Sequence, residues 1–305
     1  MVWDSVERRD SSEGNVWKYI FTKADAIVEA VLYRYNSFEE RTVICCSVQS
    51  GCPVGCLFCG TGAHFIRNLT TEEIVSQVEY ILRDMDIQAV FEWKGKKTQI
   101  MFMSMGEPML NWSNVRNSIS QLRQHSVCSD NRTQFLISTI GINDSHVFQD
   151  IIRYSRLGCP ELGLQFSIHR STDEARSKLI PYENKMNLRQ IRDCGIEWWL
   201  ATGRPVFLNY CIDPSNQTPE DFERLVTLFP PQMFYFTFSV VCSKNETMKS
   251  AGYHHIDRIQ EIASIFTQQG YNTRVFDPAG QDDIGGGCGQ LFGVQKWLKE
   301  HVAIS

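Results

Sequence analysis

Three cysteines, Cys52, Cys56 and Cys59, share one short loop, GCPVGCLFCGTG, with three residues between the first two and two between the last two. Thiolates at that spacing can each take one iron of a cubane 4Fe-4S cluster. Such a loop leaves the fourth iron without a protein ligand. An open iron can chelate an amine and a carboxylate together, and S-adenosylmethionine offers both. Electron transfer into its sulfonium would release a 5′-deoxyadenosyl radical. That chemistry belongs to the cofactor, while the protein supplies position and excludes water. Phe58, beside Cys59, is placed to shield the cluster or to lie near the adenine. The competing reading is a zinc knuckle with His64 as fourth ligand. Zinc loops favour paired C-x2-C units, however, and no second pair follows.

Other polar residues interrupt apolar runs further along: Gly106-Glu107-Pro108, Ser138, Ser167 and His169, and finally Cys288 in GGGCGQL. A carboxylate accepts hydrogen bonds, and hydroxyls and an imidazole can bind a ribose or a carboxylate. Each also has an ordinary reading, since Gly-Glu-Pro can end a strand as a turn. Cys288 lies among Gly285, Gly286, Gly287 and Gly289, which give its segment freedom to move.

The elements that must position these residues alternate in type. Strands are expected at 42–49, 98–105, 133–139, 162–168, 205–210, 234–241 and 273–277, mostly as short apolar runs of the kind buried in parallel sheets. Amphipathic helices lie between them. Thr70 with Glu73 makes a capping box, Thr218-Pro219 opens a later helix, and Ile256, Ile259, Ala263 and Phe266 stripe the last. This alternation implies an α/β fold, a partial (β/α) barrel of parallel strands. Segments 17–22 and 26–35 read as a β-hairpin ahead of it. The division is therefore a short extension over 1–41 and a barrel over 42–305, and the first fifteen residues read as a frayed end. In such barrels chemistry gathers at the C-terminal strand ends, where every cluster named above falls.

With these residues in place, the chain resembles the radical S-adenosylmethionine methyltransferases that modify adenosine C2 in ribosomal and transfer RNA, and their adenosine-C8 relatives. The matching stretches are CCSVQSGCPVGCLFCGTG (45–62), IRNLTTEEIV (66–75), MSMGEPMLN (103–111), STIGI (138–142), FSIHRSTDEARSKLIPYENK (166–185) and GQDDIGGGCGQL (280–291). The resemblance implies a radical SAM barrel, with a cluster on Cys52, Cys56 and Cys59. It implies that Gly106 and Glu107 hold the amino end of S-adenosylmethionine, and that Ser138, Ser167 and His169 hold its ribose or carboxylate. Two molecules of S-adenosylmethionine would serve each turnover, one as methyl donor and one as radical source. Cys288 would first be methylated, then joined to the base as a protein–RNA thioether that Cys45 helps to resolve by forming a disulfide with it. Glu29 aligns with an active-site glutamate. The partners implied are 23S ribosomal or transfer RNA and a reduced flavodoxin- or ferredoxin-type electron donor, for a monomeric cytoplasmic enzyme. C2 and C8 share the same motifs. The chemistry is coherent, because the amidine carbon of adenine is electrophilic and resists polar methylation, whereas radical addition avoids that difficulty.

Two features depart from the family. Only 44 residues precede Cys45, too few for the usual N-terminal helical domain as well as the hairpin. RNA grip is then expected from the barrel surface, with Arg67, Arg170, Arg176 and Lys178 near its mouth, or from a partner. A family asparagine after the sixth core strand is also missing, and VVCSKNE leaves Ser243 or Asn245 as substitutes. Two alternatives stay open: a radical SAM relative acting on another nucleotide, nucleic acid or protein, and a non-catalytic metal- or RNA-binding protein.

Bulk properties narrow the class. The net charge of -5 argues against a generally basic nucleic-acid surface but leaves a local basic cleft possible. The 11 cysteines, five of them between 45 and 59, fit a reducing compartment better than a disulfide scaffold. Cys45 and Cys46 are adjacent in a strand, so only one can face the site; the spacing favours Cys45. Cys128, Cys159, Cys194, Cys211 and Cys242 read as buried inert thiols. No apolar stretch is long enough for a membrane helix.

Overall fold

The computed structural model describes residues 2–12, 14–35, 41–62, 64–89, 97–125, 128, 133–240, 256–276 and 284–285. The chain opens as an antiparallel ribbon of β1 (Ser5–Asp10), β2 (Val16–Lys23) and β3 (Ala26–Tyr35). The frayed end expected from its charge is thus a strand. Its side chains explain why. Trp3 is buried against Phe21 and donates to Ser76, and Arg8 reaches Asp84 at 2.8 Å. Charged residues belong in a strand when the neighbouring helix supplies their partners.

β3 pairs antiparallel with β4 (Arg41–Cys46), which begins the parallel part of the sheet. A separate hairpin, β5 (Gln49–Gly51) with β6 (Phe65–Asn68), brackets the cysteine loop. Helix α1 (Thr71–Ala89) leads to β7 (Thr98–Phe102), and α2 (Trp112–Leu122) to β8 (Thr133–Thr139). Next come α3 (Ser145–Leu157), β9 (Leu162–Ser167), α4 (Asp173–Leu179), α5 (Leu188–Thr202) and β10 (Val206–Ile212). α6 (Pro219–Leu228), β11 (Phe234–Val240), α7 (Ile256–Gln268) and β12 (Thr273–Phe276) complete the described residues. Among these the main sheet runs β1-β2-β3-β4-β7-β8-β9-β10-β11-β12, parallel from β4 onward. This is the open α/β barrel that the alternation implied. No described helix is long and apolar enough to cross a membrane.

Local sequence sets the helix ends. Thr70 and Glu73 cap α1 reciprocally, Glu73 N on Thr70 Oγ1 at 3.2 Å and Thr70 N on Glu73 Oε2 at 3.0 Å. Thr218 and Asp221 form the same box at α6, with Pro219 in its first turn.

Strand pleating sorts the core into two layers. Ile44, Cys46, Ile100, Phe102, Phe135, Ile137, Leu164 and Phe166 face outward onto the helices. Val31, Val43, Cys45, Met101 and Leu136 face inward, joined by Ile284. The sheet curls far enough that Tyr33 on β3 meets Phe276 on β12, with ring centroids 6.2 Å apart and the planes at 76°. Inward-facing residues beyond the apolar layer therefore look into one shared cleft.

Candidate functional site

The cleft opens at the C-terminal ends of the parallel strands. Cys45, Cys52, Cys56, Cys59, Gly106, Glu107, Ser138, Ser167 and His169 all line it. Glu29 does not. Cys288 lies outside the described residues, as do Ser243 and Asn245.

The cysteine loop is closed at its base by Cys52 N, which donates to His64 O at 2.8 Å. Gly51 makes that closure possible. Its φ is +78°, and a Cβ there would stand 2.0 Å from the His64 oxygen. Burial pushes the Cys52 thiol up to about 12, and it also pushes up Cys56. Cys52 and Cys56 are thus neutral thiols in the bare loop, and a bound cation would displace their protons. Among the described residues no three Cys, His, Asp or Glu side chains converge as around a single ion. Three thiols serving three different irons need no such convergence. His64, which a zinc knuckle requires, is exposed and outside the cleft lining.

Beside the loop, Gly106 has φ +96°, and a Cβ would sit 2.6 Å from Cβ of Gln49. The close approach lets Gln49 Oε1 accept from Glu107 N at 2.8 Å. Glu107 is buried and caps the short 3₁₀ turn Pro108–Asn111, Oε1 accepting from Met109 N at 3.0 Å. Its Oε2 accepts from Ile140 N at 2.9 Å. Burial pushes its carboxyl up to about 7, against the pull of those amides and of Thr139. A cation brought into the cleft would favour the ionised form.

Across from it, Ser138 and Ser167 stand 3.4 Å apart, and Gln165 Nε2 donates to Ser138 Oγ at 2.9 Å. His169 has φ +58°, a conformation rare for a side-chain-bearing residue. Asn216 holds it there by donating to His169 O at 2.9 Å. His169 Nδ1 accepts from Cys211 N at 3.1 Å, so in the neutral ring the proton is on Nε2. Burial, then the charges of Arg176 and Arg170, push its pKa down to about 3. Phe58 packs edge-on against the ring at 5.2 Å.

Cys45 faces the cleft and Cys46 the helix layer. Burial pushes Cys45 up to about 12. Each cysteine among the described residues is a free thiol. Glu29 shares the inward face of β3, level with the C-terminal ends of β4 and β7, and is fully buried with Oε2 2.9 Å from Lys18 Nζ. Its backbone oxygen accepts from both Ser47 and Ser104, joining β3 to the start of the site.

Sequence reasoning missed several lining residues: Gln49, Gln165, Asn209, Thr237, Ser239 and Arg274. Polar residues at alternate positions in apolar strands, as in Gln165/Ser167 and Thr237/Ser239, were the available signal. The four basic residues placed at the mouth are differently disposed. Arg67 bridges Asp25 and Glu73, Arg170 pairs with Asp213 at 2.6 Å, and Lys178 pairs with Glu174 at 2.7 Å. Arg176 is not at the surface at all, being 1% exposed.

No family model matches the sequence. A probable dual-specificity RNA methyltransferase RlmN from Heliobacterium modesticaldum is 30% identical over 301 residues, which cover 96% of this chain and 74% of that protein. Its counterpart from Bifidobacterium longum is 30% identical over 291 residues, 94% of this chain and 72% of that one. Among solved structures, a radical SAM methyltransferase from Sphaerobacter thermophilus is similar with a TM-score of 0.74 at 25% identity, covering 93% of this chain and 79% of that chain. Streptococcus suis SuiB bound to S-adenosylmethionine shares the fold at a TM-score of 0.50 and 14% identity, over 80% of this chain and 48% of that one.

Proposed function

Because the chain belongs to the dual-specificity RNA methyltransferase family RlmN, we propose that it methylates C2 of an adenosine in ribosomal or transfer RNA, with Cys288 as the methyl carrier. The observation that carries this reading is the single cleft shared by the cysteine loop, Glu107, the Ser138–Ser167–His169 group and Cys45.

The donor set fits the groups the family requires. Three thiols line one wall, with a buried carboxylate and a neutral imidazole N–H on the others. Cys52, Cys56 and Cys59 would hold a 4Fe-4S cluster, and Gly106, Glu107, Ser138, Ser167 and His169 would hold S-adenosylmethionine. When bound, these groups supply the methyl group and the radical that activates it. The chain's residues do the rest. Glu107 accepts from the amino N–H of S-adenosylmethionine through lone pairs that Met109 and Ile140 leave free. His169 donates through Nε2 and cannot become charged near neutral pH. Cys45 waits as a protonated, buried thiol until the adduct is to be resolved. Ile284 packs in the same inward cluster as Cys45. Four residues further on, Cys288 can lie at most about 14 Å from it along an extended chain, which supports a role at this cleft. We place the enzyme in the cytoplasm, with a reduced flavodoxin- or ferredoxin-type protein as electron source.

The deciding experiment is nucleoside mass spectrometry of ribosomal and transfer RNA from cells with the intact gene and with Cys288→Ala. Loss of 2-methyladenosine in the variant is expected. An unchanged nucleoside profile, together with no S-methylcysteine at position 288 in cluster-loaded protein, would overturn the reading.

A further inference from the structure

Arg176 on α4 is buried, and among the described residues it has no counter-ion. Its guanidinium donates to the carbonyls of Met186, Ile140 and Ser167. Carbonyls orient a cation but do not neutralise it. Among the described residues no carboxylate is within ion-pair distance, and the Nε–H has no acceptor. Asp173 is the carboxylate with the largest effect on it, and its Oδ1 is already taken by Leu188 N. Burial lowers the guanidinium only to about 10, so it stays charged at neutral pH. Leaving such a charge uncompensated is costly.

The missing negative charge has a natural location. Cys56 is the other group that acts on Arg176, and the effect is mutual. The two segments are joined directly, because Leu57 N donates to Leu179 O at 3.0 Å at the end of α4. Gly55 lies against Pro181, just beyond that helix. Three thiolates around a doubly positive iron–sulfur core leave one net negative charge, and reduction adds a second. Net charge and local electrostatics set the potentials of such clusters.

We propose that Arg176 is the buried counter-charge of the cluster held by Cys52, Cys56 and Cys59, a positioning residue that makes the cluster easier to reduce. The role rests on the cluster reading above. A fixed cation stabilises the doubly negative reduced state more than the singly negative oxidised one. It therefore raises the potential at which an electron from the donor protein is accepted. Its three carbonyl contacts, at the ends of β8 and β9 and before α5, keep that charge in place.

The test is an anaerobic redox titration of the full-length, cluster-loaded protein, read by the electron paramagnetic resonance of the reduced cluster. In Arg176→Gln the ratio of reduced to oxidised cluster at a fixed potential is expected to fall about tenfold, a shift of about 59 mV for one electron. Arg176→Lys keeps the charge but cannot span three carbonyls, and its ratio is expected to stay close to the parent value. An unmoved ratio in loaded Arg176→Gln, or a fall in Arg176→Lys as large as in Gln, overturns the proposal. Should the Gln variant not fold, Asp173→Asn provides a second route. It keeps an acceptor for Leu188 N while removing opposing charge, so the ratio should rise; a ratio that stays or falls overturns the proposal. Iron and sulfide analysis of the parent protein separates the two layers. Absence of iron defeats the cluster itself, whereas a loaded cluster with an unmoved potential defeats only the role of Arg176.

Discussion

Glu107 and His169 face one cleft with opposite protonation habits, and the signs can be worked through. Glu107 is raised to about 7 from an ordinary 4.5, so between those values the folded chain holds a proton that the unfolded chain has lost. Stability then falls as pH rises through that window. His169 is lowered to about 3 from 6.5, so between those values the unfolded chain holds the extra proton. Stability there rises with pH. From pH 4.5 to 6.5 the two slopes, about 1.4 kcal/mol per pH unit each, nearly cancel. Glu107→Gln should uncover the histidine. Urea unfolding of the variant is expected to gain stability from pH 5 to pH 6 relative to the parent, by about 1 kcal/mol. Parallel curves would contradict the assignment. In the role proposed for Glu107, the ionised carboxylate is the stronger acceptor for the amino N–H, so S-adenosylmethionine affinity should strengthen by up to about tenfold from pH 6 to pH 8 in the parent and stay flat in Glu107→Gln. Glu29 makes a different case. It is fully buried in a pair with Lys18 and does not line the cleft. Glu29→Gln is expected to cost about 3–5 kcal/mol by leaving a buried ammonium without its charge partner. If the variant instead keeps the parent's unfolding midpoint and loses methylation, Glu29 acts in chemistry rather than in support.

Elements set how closely the helix layer can approach the sheet, and α5 shows the limit. Gly195 on that helix packs so near β11 that a Cβ would stand 2.3 Å from Cε1 of Phe234. The phenylalanine is fully buried and cannot yield cheaply. Gly195→Ala should therefore destabilise by about 1–3 kcal/mol, despite the better helix propensity of alanine. Calorimetry would test it, and an unchanged or higher melting temperature would show that the helix has room to shift. This glycine also marks what the sequence makes legible and what it does not. Strand positions, the capping box at Thr70, the helix start at Thr218-Pro219, and the strand-end location of Cys52, Glu107, Ser138 and His169 follow from local pattern, because caps and apolar periods act over a few residues. Close contacts such as Gly195 on Phe234 join positions 39 residues apart, and no local pattern records them. Arg176 misleads for the same reason. A basic residue in a polar stretch reads as surface until three distant carbonyls are brought around it. The segment from Trp3 through β1 reads as a loose end because its partners, Ser76 and Asp84, lie on a helix far along the chain.

For the molecule as a whole, the cleft exists only because an unclosed sheet curls. β1 and β12 are its two ends, and no described hydrogen-bonded pairing joins them. What crosses the gap among the described residues is side-chain packing. Tyr33 from the antiparallel ribbon meets Phe276 on the last strand edge to face, and both rings line the cleft. The ribbon thus serves as one wall of the barrel, completing a layer that the described parallel strands leave open. The inward apolar cluster below, from Val31 to Ile284, supports the same curvature. If the seam sets the curl, the two rings must be energetically coupled. A double-mutant cycle with Tyr33→Ala, Phe276→Ala and the pair, measured by urea unfolding, should give a coupling of about 0.5–1.5 kcal/mol beyond the separate losses. The function should register it too. Opening the seam widens the cleft, so each single variant is expected to weaken S-adenosylmethionine binding more than it lowers iron content, which in the proposed function rests on the cysteine loop. Additive stabilities with unaltered binding would mean that the strands hold their curvature alone and that the aromatic contact merely follows from it.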